Sequence, residues 1–219
     1  DPEQRELCAY ATQQGLKSAN WQAGFRQGGG MAIAALARAA REQTGGDFDT
    51  SHYAEAARRG YLHLREHNLA YLDDGCENII DDYCALLAAL ELTQTLGRDW
   101  LGEARERAGR LCARQRPHPE IGHYWSANDD GSRPYYHAAE AGLPVLALLE
   151  YLGVEPDQDR RARVSAVVQQ ALAAELALAA RAGNPFALAR QYVKGVDEAP
   201  RISFFMPHHN ESGYWSQGE

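Results

Sequence analysis

The stretch NIIDDYCALLAALELTQTLG, residues 78–97, decides the fold class of this chain. Asn78 belongs to the residue types that cap helix starts, because its side chain accepts a backbone N–H left free in the first turn. Apolar residues then recur three and four positions apart, at Ile79, Ile80, Tyr83, Leu87 and Leu90. Gly97 tolerates the backbone conformations that end a helix. The stretch therefore predicts one long helix with an apolar stripe, beginning after Asn78 and ending at Gly97.

Helical patterns broken by Gly, Asn, Asp and Pro continue on both sides of this stretch. Further helices are predicted over residues 31–42, 53–68, 100–114, 135–152 and 159–182, with a short one over 186–192. Pro144 either kinks the helix at 135–152 or sets its start. Residues 115–134 are loop-like, and 202–206 form at most a short extended run. The pattern predicts an all-α fold of about six long helices joined as antiparallel hairpins.

The charge and apolar patterns argue against two classes of partner. The formal net charge is -8, whereas a nucleic-acid partner calls for a basic face. The richest apolar stretch, residues 143–152, contains Pro144 and Glu150 and falls short of the roughly 20 residues that a membrane span needs. We therefore expect neither a nucleic-acid nor a membrane partner.

The cysteines indicate the redox state of the protein, and the chain ends indicate whether the sequence is a whole protein. The four cysteines are Cys8, Cys76, Cys84 and Cys112. No two form a Cys-x-x-Cys pair, so we expect no zinc site and favour reduced thiols. The chain opens at Asp1 and stops after Glu219, which predicts a piece of something longer. We expect a cytoplasmic protein; a secreted or periplasmic one stays open, because a leader upstream would not be visible.

Four motifs in the tail carry a family resemblance. They are GNPF at 183–186, YV at 192–193, PHH at 207–209 and Glu219. Their order resembles the C-terminal half of glycoside hydrolase family nine. FRQGGGMAIA at 25–34, ENIIDDY at 77–83 and PHHNESGYW at 207–215 resemble one branch of it, the exo-β-D-glucosaminidases. The resemblance implies an (α/α)6 barrel that cleaves β-1,4 links with inversion, removing glucosamine units from chitosan oligosaccharides.

One hallmark of that family is missing from the chain. The family carries its catalytic base in an Asp-Ala-Gly-Asp type motif, which neither the acidic residues at 47–49 nor Asp81 and Asp82 match. The resemblance then implies that the base lies upstream of Asp1 and that further helices follow Glu219. Residues 1–219 would form an incomplete (α/α)6 toroid, a partial catalytic domain lacking its start and its last helices. Its partners would be the oligosaccharide and the remainder of that domain.

The resemblance makes Glu219 the catalytic acid. An inverting glycosidase needs one protonated carboxyl group and one carboxylate that activates water. An apolar surround keeps an acid protonated, because burial penalises the charged form. Tyr214 and Trp215 precede Glu219 closely and are candidates for that surround. Without the resemblance, a solvated terminal glutamate is the better interpretation.

Other substrate-binding candidates follow from the resemblance and from residue chemistry. His208 and His209 would hydrogen bond to sugar hydroxyls, with loop packing as the alternative. Glu211 would recognise the ammonium group of an amino sugar, or remain a solvated loop charge. Asp82 suits the positive end of a helix dipole, which we favour, but a helix end at the barrel rim also reaches the site.

Aromatic residues around the turn at 128–131 are candidates for a sugar platform. They are Trp125, Tyr135, Tyr136 and His137, with ordinary helix-cap packing as the alternative. We expect no cofactor and no metal site. The acidic turns at 73–75 and 129–131 lack the spacing of a calcium loop. His118 and His123 are five apart with Pro119 between, so they would not share a helical face as zinc-protease histidines do.

Two other functions stay open. The chain could be a non-catalytic α-helical interaction module, although the polar capping helices of such a module are not evident. It could also belong to another (α/α)6 enzyme, such as a cellobiase or endoglucanase of the same family, or a sugar epimerase. Substrate profiling separates these enzymes.

Overall fold

Six α-helices make up most of the structure, a computed structural model that describes residues 9–10, 17–18, 23–44, 46–72, 74–135, 140–181, 209–211 and 214–216. They are α1 (Gly29–Arg41), α2 (Thr50–His67), α3 (Ile79–Leu96), α4 (Leu101–Ala113), α5 (Leu143–Val154) and α6 (Gln158–Arg181). Short 3-10 turns precede α1, follow α2 and precede α4. The mostly helical fold is as predicted. Pro144 lies in the first turn of α5, so it sets the helix start rather than kinking the helix. The short helix predicted at 186–192 lies outside the described residues.

Three two-stranded antiparallel hairpins accompany the helices, with strands β1 (Ala9–Tyr10), β2 (Lys17–Ser18), β3 (Gln115–His118), β4 (Gly122–Trp125), β5 (His209–Glu211) and β6 (Tyr214–Ser216). The loop predicted at 115–134 was therefore wrong in its first part. Gln115 pairs with Trp125 and His118 with Gly122, whose φ of 83° suits glycine. The strands are short and mostly polar, so they lack the alternation that reveals a strand in sequence. The extended run predicted at 202–206 lies outside the described residues.

Helix α3 is the centre of the core. Asn78 caps it as predicted, since its Oδ1 accepts the backbone N–H of Ile80 at 2.8 Å. The single apolar stripe predicted for α3 was too narrow, because α1, α2, α4 and α5 all pack against this helix. Its buried apolar residues lie on every side: Ile79, Tyr83, Cys84, Ala85, Leu86, Ala88, Ala89, Leu90 and Leu92.

Helices α1 and α3 run parallel to each other. Arg26, just before α1, lies 3.5 Å from Asp81 in the first turn of α3. At the far ends, Arg41 Nη1 lies 2.6 Å from Glu91 Oε2. Because the same two helices meet start to start and end to end, their axes point the same way.

Helix α2 runs against α1, since a Cβ on Gly29 would meet Leu64 and one on Gly60 would meet Ile33. Helices α2 and α4 are parallel: Trp100 packs edge-on against Tyr61 at 5.5 Å, and Arg65 pairs with Glu103 at 2.8 Å. Even-numbered helices α2 and α4 therefore oppose odd-numbered helices α1 and α3.

The same alternation continues to the last helices. Glu140, just before α5, accepts a hydrogen bond from Tyr83 early in α3, so α5 is parallel to α3. Arg105 in the first turns of α4 holds Glu155 at the end of α5. Helix α6 starts close to Glu155, beside the start of α4. Further along α6, the Val167 carbonyl accepts a hydrogen bond from Gln115, just after α4, at 2.9 Å, so α6 runs parallel to α4. Odd helices thus point one way and even helices the other.

Because the helices alternate in direction, successive connections lie at opposite ends of the helices. The starts of α1, α3 and α5 lie at the same end as the ends of α2, α4 and α6. The connections at that end are the long ones, residues 68–78 and 114–142, and we call this end the rim. The opposite end carries the short connections, residues 42–49, 97–100 and 155–157. In the described part of the chain, no helix is both long and apolar enough to cross a membrane.

Gly30 sets the close approach of α1 to α3. A Cβ at this position would lie 2.8 Å from Cys84 Cβ and 2.9 Å from its carbonyl oxygen. The neighbouring backbone cannot yield as a flexible side chain can. Two of the three glycines in the run at 28–30 are thus explained by close packing, because a Cβ on Gly29 would also meet backbone, 2.8 Å from Gly24 O.

We expect Gly30→Ala to lower the free energy of unfolding by about 2 kcal/mol, the usual effect of overpacking. The matched control is Gly109→Ala on the exposed face of α4, where a Cβ meets nothing within 4 Å. That change should raise the free energy of unfolding by roughly 0.5–1 kcal/mol through helix propensity. Urea unfolding of both variants measures the difference. Equal effects of the two substitutions would contradict the close approach of α1 to α3.

Glu155 closes the corner between α5 and α6. Its side chain is fully buried and accepts two hydrogen bonds from Arg105, at 2.8 and 2.7 Å. Tyr151 and the backbone N–H of Asp157 also donate to it. The hydrogen bonds from Arg105 lower the pKa of Glu155 from 4.5 to about 2.

We expect Glu155→Gln to lower the free energy of unfolding near pH 7 by about 2 kcal/mol, because hydrogen bonds to a charged group are lost. The folded-state pKa is depressed, so this stabilisation is complete above about pH 5 and is lost as the pH falls toward about 2. Urea unfolding of both proteins at several pH values should show the curves converging in acid. A difference that stays constant from pH 7 to pH 2 would contradict this assignment.

Candidate functional site

The rim carries a cluster of charged and polar side chains, buried around Asp81 and Asp82 and exposed at Asp74 and Asp129, which we call the rim cluster. Its members are Arg26, Asn68, Asp74, Glu77, Asp81, Asp82, Arg107, Arg110, Arg114 and Asp129. They come from the segment before α1, the connection 68–78, the start of α3, the end of α4, and the turn after β4. The cluster thus joins both long connections of the rim, 68–78 and 114–142, to the start of α3 and the end of α4.

Asp81 is fully buried and bonded on both oxygens. Its Oδ2 accepts the backbone N–H of Asn78 at 3.0 Å, which completes the capping box of α3. Its Oδ1 accepts from Asn68 Nδ2 at 3.1 Å and from the Arg26 backbone N–H at 3.3 Å. This carboxylate therefore fastens two incoming chain segments to the start of α3.

Asp82, a predicted substrate-binding residue, is fully buried among three guanidinium groups. Its oxygens lie 2.5 Å from Arg114 Nε, 3.0 Å from Arg110 Nε and 3.4 Å from Arg107 Nη1. A carboxylate engaged in this way has little capacity left for a ligand. The placement favours the structural role at the helix start, and contact with substrate stays a prediction for this residue.

Glu77 shares the arginines of Asp82. Its carboxylate lies 2.9 Å from Arg107 Nη1 and 2.5 Å from Arg110 Nη2, and Asn68 Nδ2 donates to it at 2.7 Å. Burial raises the pKa of Glu77, but the hydrogen bonds and charges of Arg107 and Arg110 outweigh burial and hold the pKa below its usual value. Glu77 is therefore held as a carboxylate at neutral pH.

Arg114 ties the turn after β4 to the cluster. Its side chain is almost fully buried and donates to the Ala127 carbonyl at 3.0 Å. It also lies 2.8 Å from Asp129 Oδ1. Inside that turn, Asp130 Oδ1 accepts the Ser132 backbone N–H at 2.9 Å. The acidic residues of the turn therefore have protein partners. In the described ranges, no group of three or more His, Cys, Asp or Glu residues is arranged to hold a metal ion.

The aromatic residues beside this turn are mostly in the core. Trp125 and Tyr135 are each 4% exposed. Between them and α6 lies a cavity of about 10 Å³, which is room for about one water molecule. This placement favours packing for Trp125 and Tyr135, and the sugar-platform role of Trp125 stays a prediction. Tyr136 and His137 lie outside the described residues.

A second polar group, Tyr83, Tyr135 and Glu140, lies next to this cavity. The Tyr83 hydroxyl donates to the Glu140 carboxylate, and the Tyr135 hydroxyl donates to the Glu140 carbonyl at 3.3 Å. Burial raises the pKa of Tyr83, so its phenol stays protonated and remains a donor. Glu140, which supplies the carboxylate of this group, is half-buried.

The tail candidates are described only in part. Glu219 and His208 lie outside the described residues. His209, Glu211, Tyr214 and Trp215 lie in the β5–β6 hairpin, where Glu211 pairs with Tyr214 and His209 with Ser216. Only the backbone of these four residues is described, so their substrate-binding roles stay predictions.

Sequence reasoning missed the arginines of the rim cluster. Arg107, Arg110 and Arg114 follow each other at spacings of three and four residues. That spacing places them on one face of α4, the same signal that marks an apolar face. Charged residues normally lie on the exposed face of a helix, so this row gave no sign of burial in the sequence. No family model matches this chain, and no curated protein matches its sequence.

We expect Arg114→Gln to lower the free energy of unfolding by about 3 kcal/mol, because Asp82 stays buried with part of its charge uncompensated. The control is Arg98→Gln, at an exposed position between α3 and α4. That substitution should change the free energy of unfolding by less than about 0.5 kcal/mol. Urea unfolding compares the two variants; if Arg114→Gln behaves like Arg98→Gln, the rim cluster does not stabilise the fold.

Proposed function

We propose that this chain is part of the catalytic domain of an inverting glycoside hydrolase of family nine. Its substrates are chitosan oligosaccharides, from which it removes single glucosamine units. Glu219 is the general acid, and the general base lies in a segment upstream of Asp1. The rest of the catalytic domain completes the site.

The observation that carries this proposal is the alternating direction of the helices. Odd helices α1, α3 and α5 form one row with α3 in the middle, and each pairs with the even helix that follows it. The repeating unit of an (α/α)6 toroid is a pair of antiparallel helices, and successive pairs give two rows of helices that point in opposite directions. This arrangement therefore supports the fold that the sequence resemblance implies.

The location of the rim also supports the proposal. Helix α6 ends at Arg181 at the same end as the long connections, and the motifs at 183–219 come after it in the sequence. Catalytic residues commonly lie on long connections held by a rigid scaffold. The rim cluster fits the scaffold role, since its buried carboxylates are bonded to arginines rather than open to a ligand.

The proposed chemistry uses one proton transfer and one water attack. The Glu219 carboxyl group donates its proton to the glycosidic oxygen as the bond to the anomeric carbon breaks. The base removes a proton from a water molecule, which attacks the anomeric carbon from the opposite face. His208 and His209 donate to sugar hydroxyls, and Glu211 pairs with the ammonium group of glucosamine.

We expect residues 1–219 alone to release no glucosamine from chitosan oligosaccharides, because the base is outside them. In a longer chain that includes the upstream segment, Glu219→Gln should lower kcat by roughly 10²–10⁴-fold, the usual contribution of a general acid. Glu150→Gln, an exposed substitution on α5, is the matched control and should leave kcat unchanged.

Stereochemistry gives an independent check on the mechanism. NMR of the first product formed should show the α-anomer, because inversion at a β-linkage yields that configuration. Robust hydrolysis by residues 1–219 alone would contradict the proposed location of the base. Release of the β-anomer would contradict inversion.

A further inference from the structure

Two histidines lie one turn apart on the solvent face at the end of α2. His63 and His67 are both exposed, and their ring centroids are 4.7 Å apart. His63 Nε2 lies 2.6 Å from the hydroxyl of Tyr71, and the rings of these two residues stack at 5.7 Å. The three side chains thus form one group of imidazole and phenol, in which both histidines are exposed and Tyr71 is half-buried.

The charges around this pair favour a cation. Both histidines belong to the last two turns of α2, where the unpaired carbonyls form the negative end of the helix dipole. The carboxylate of Glu66 lies 3.9 Å from His67 Nε2. Both sources of negative potential act at His67, and Glu66 also lies 4.0 Å from Arg65.

The spacing of the imidazoles favours a particular class of cation. Residues four apart share one helical face, so two imidazole nitrogens can reach one ion. Neutral imidazole binds Cu²⁺, Ni²⁺ and Zn²⁺, whereas Mg²⁺ and Ca²⁺ prefer carboxylate, carbonyl and water oxygens. An exposed pair also leaves coordination positions open to water, unlike a closed structural zinc site.

We propose that His63 and His67 form a surface site for a divalent transition-metal ion, with Cu²⁺ bound more tightly than Ni²⁺ or Zn²⁺. Each histidine supplies one ring nitrogen, and water fills the remaining positions. The Tyr71 hydroxyl gives up its hydrogen bond with His63 when the metal binds. This site is independent of the proposed glycosidase activity.

Calorimetric titration with Ni²⁺ tests the site in residues 1–219. All proteins carry His208→Gln and His209→Gln, which removes the adjacent pair of histidines in the tail from the titration. Variants His63→Gln and His67→Gln each remove one proposed ligand. His52→Gln is the matched control, because His52 is exposed on the same helix but Phe48 and Ala56 occupy the positions four residues away.

The parent protein should bind one equivalent of Ni²⁺. The Ni²⁺ affinity should fall by at least about tenfold in His63→Gln and in His67→Gln, because loss of a residue that merely hydrogen bonds to a metal ligand already lowers metal affinity by roughly 10–100-fold. His52→Gln should bind like the parent, and Mg²⁺ should not bind at this site. Circular dichroism checks that the variants are folded. Unchanged Ni²⁺ affinity in both His63→Gln and His67→Gln would overturn the proposal, and so would an equal loss in His52→Gln.

Discussion

The structure depends on the burial of α3 on every side. A helix in this position must be apolar around its whole circumference, and residues 79–92 meet that requirement almost without interruption. The charged exceptions are Asp81 and Asp82, which are fully buried in its first turn, and Glu91 near its end, which pairs with Arg41. A buried carboxylate is strongly unfavourable unless it is paired and hydrogen bonded. The neighbouring segments therefore have to supply donors at one end of the core.

The rim cluster meets this requirement with residues that are distant in sequence. Arg107, Arg110 and Arg114 reach back from α4, while Arg26 and Asn68 come from the segments before α1 and after α2. Buried ion pairs contribute little net stability compared with apolar packing of the same volume. Their directional bonds instead fix the relative positions of the parts they join, here helices α3 and α4, the segment before α1, and the connections 68–78 and 114–142. This explains how the end with the longest connections can be rigid, as a site carried on those connections requires.

Local signals account for what was predicted correctly. The cap at Asn78 and the end at Gly97 involve residues within one turn of the feature they decide. The sequence left open whether Pro144 kinks a helix or sets its start, and the structure decided for the start. The β3–β4 hairpin was missed because its strands are four residues long and mostly polar, and they pair across a turn at 119–121 that carries no strong hairpin signal. The buried arginines were missed because a charged residue is normally exposed. Their partners, Glu77 and Asp82, lie 25 to 32 positions earlier in the chain, 30 for Arg107–Glu77, 25 for Arg107–Asp82 and 32 for Arg114–Asp82.

The sequence by itself determined the helices, because capping, periodicity and breaking residues act within a few positions of one another. It also indicated a candidate acid at Glu219, through motif order alone. Only the tertiary structure decided that α3 is buried on all sides, that Gly30 is a point of backbone contact, and that Trp125 and Asp82 lie inside the protein. These properties depend on which segments meet in space, and one sequence does not contain that information in any short window. The physical reason is that burial and ion pairing are set by long-range contacts, whereas helix limits are set by neighbouring peptide groups.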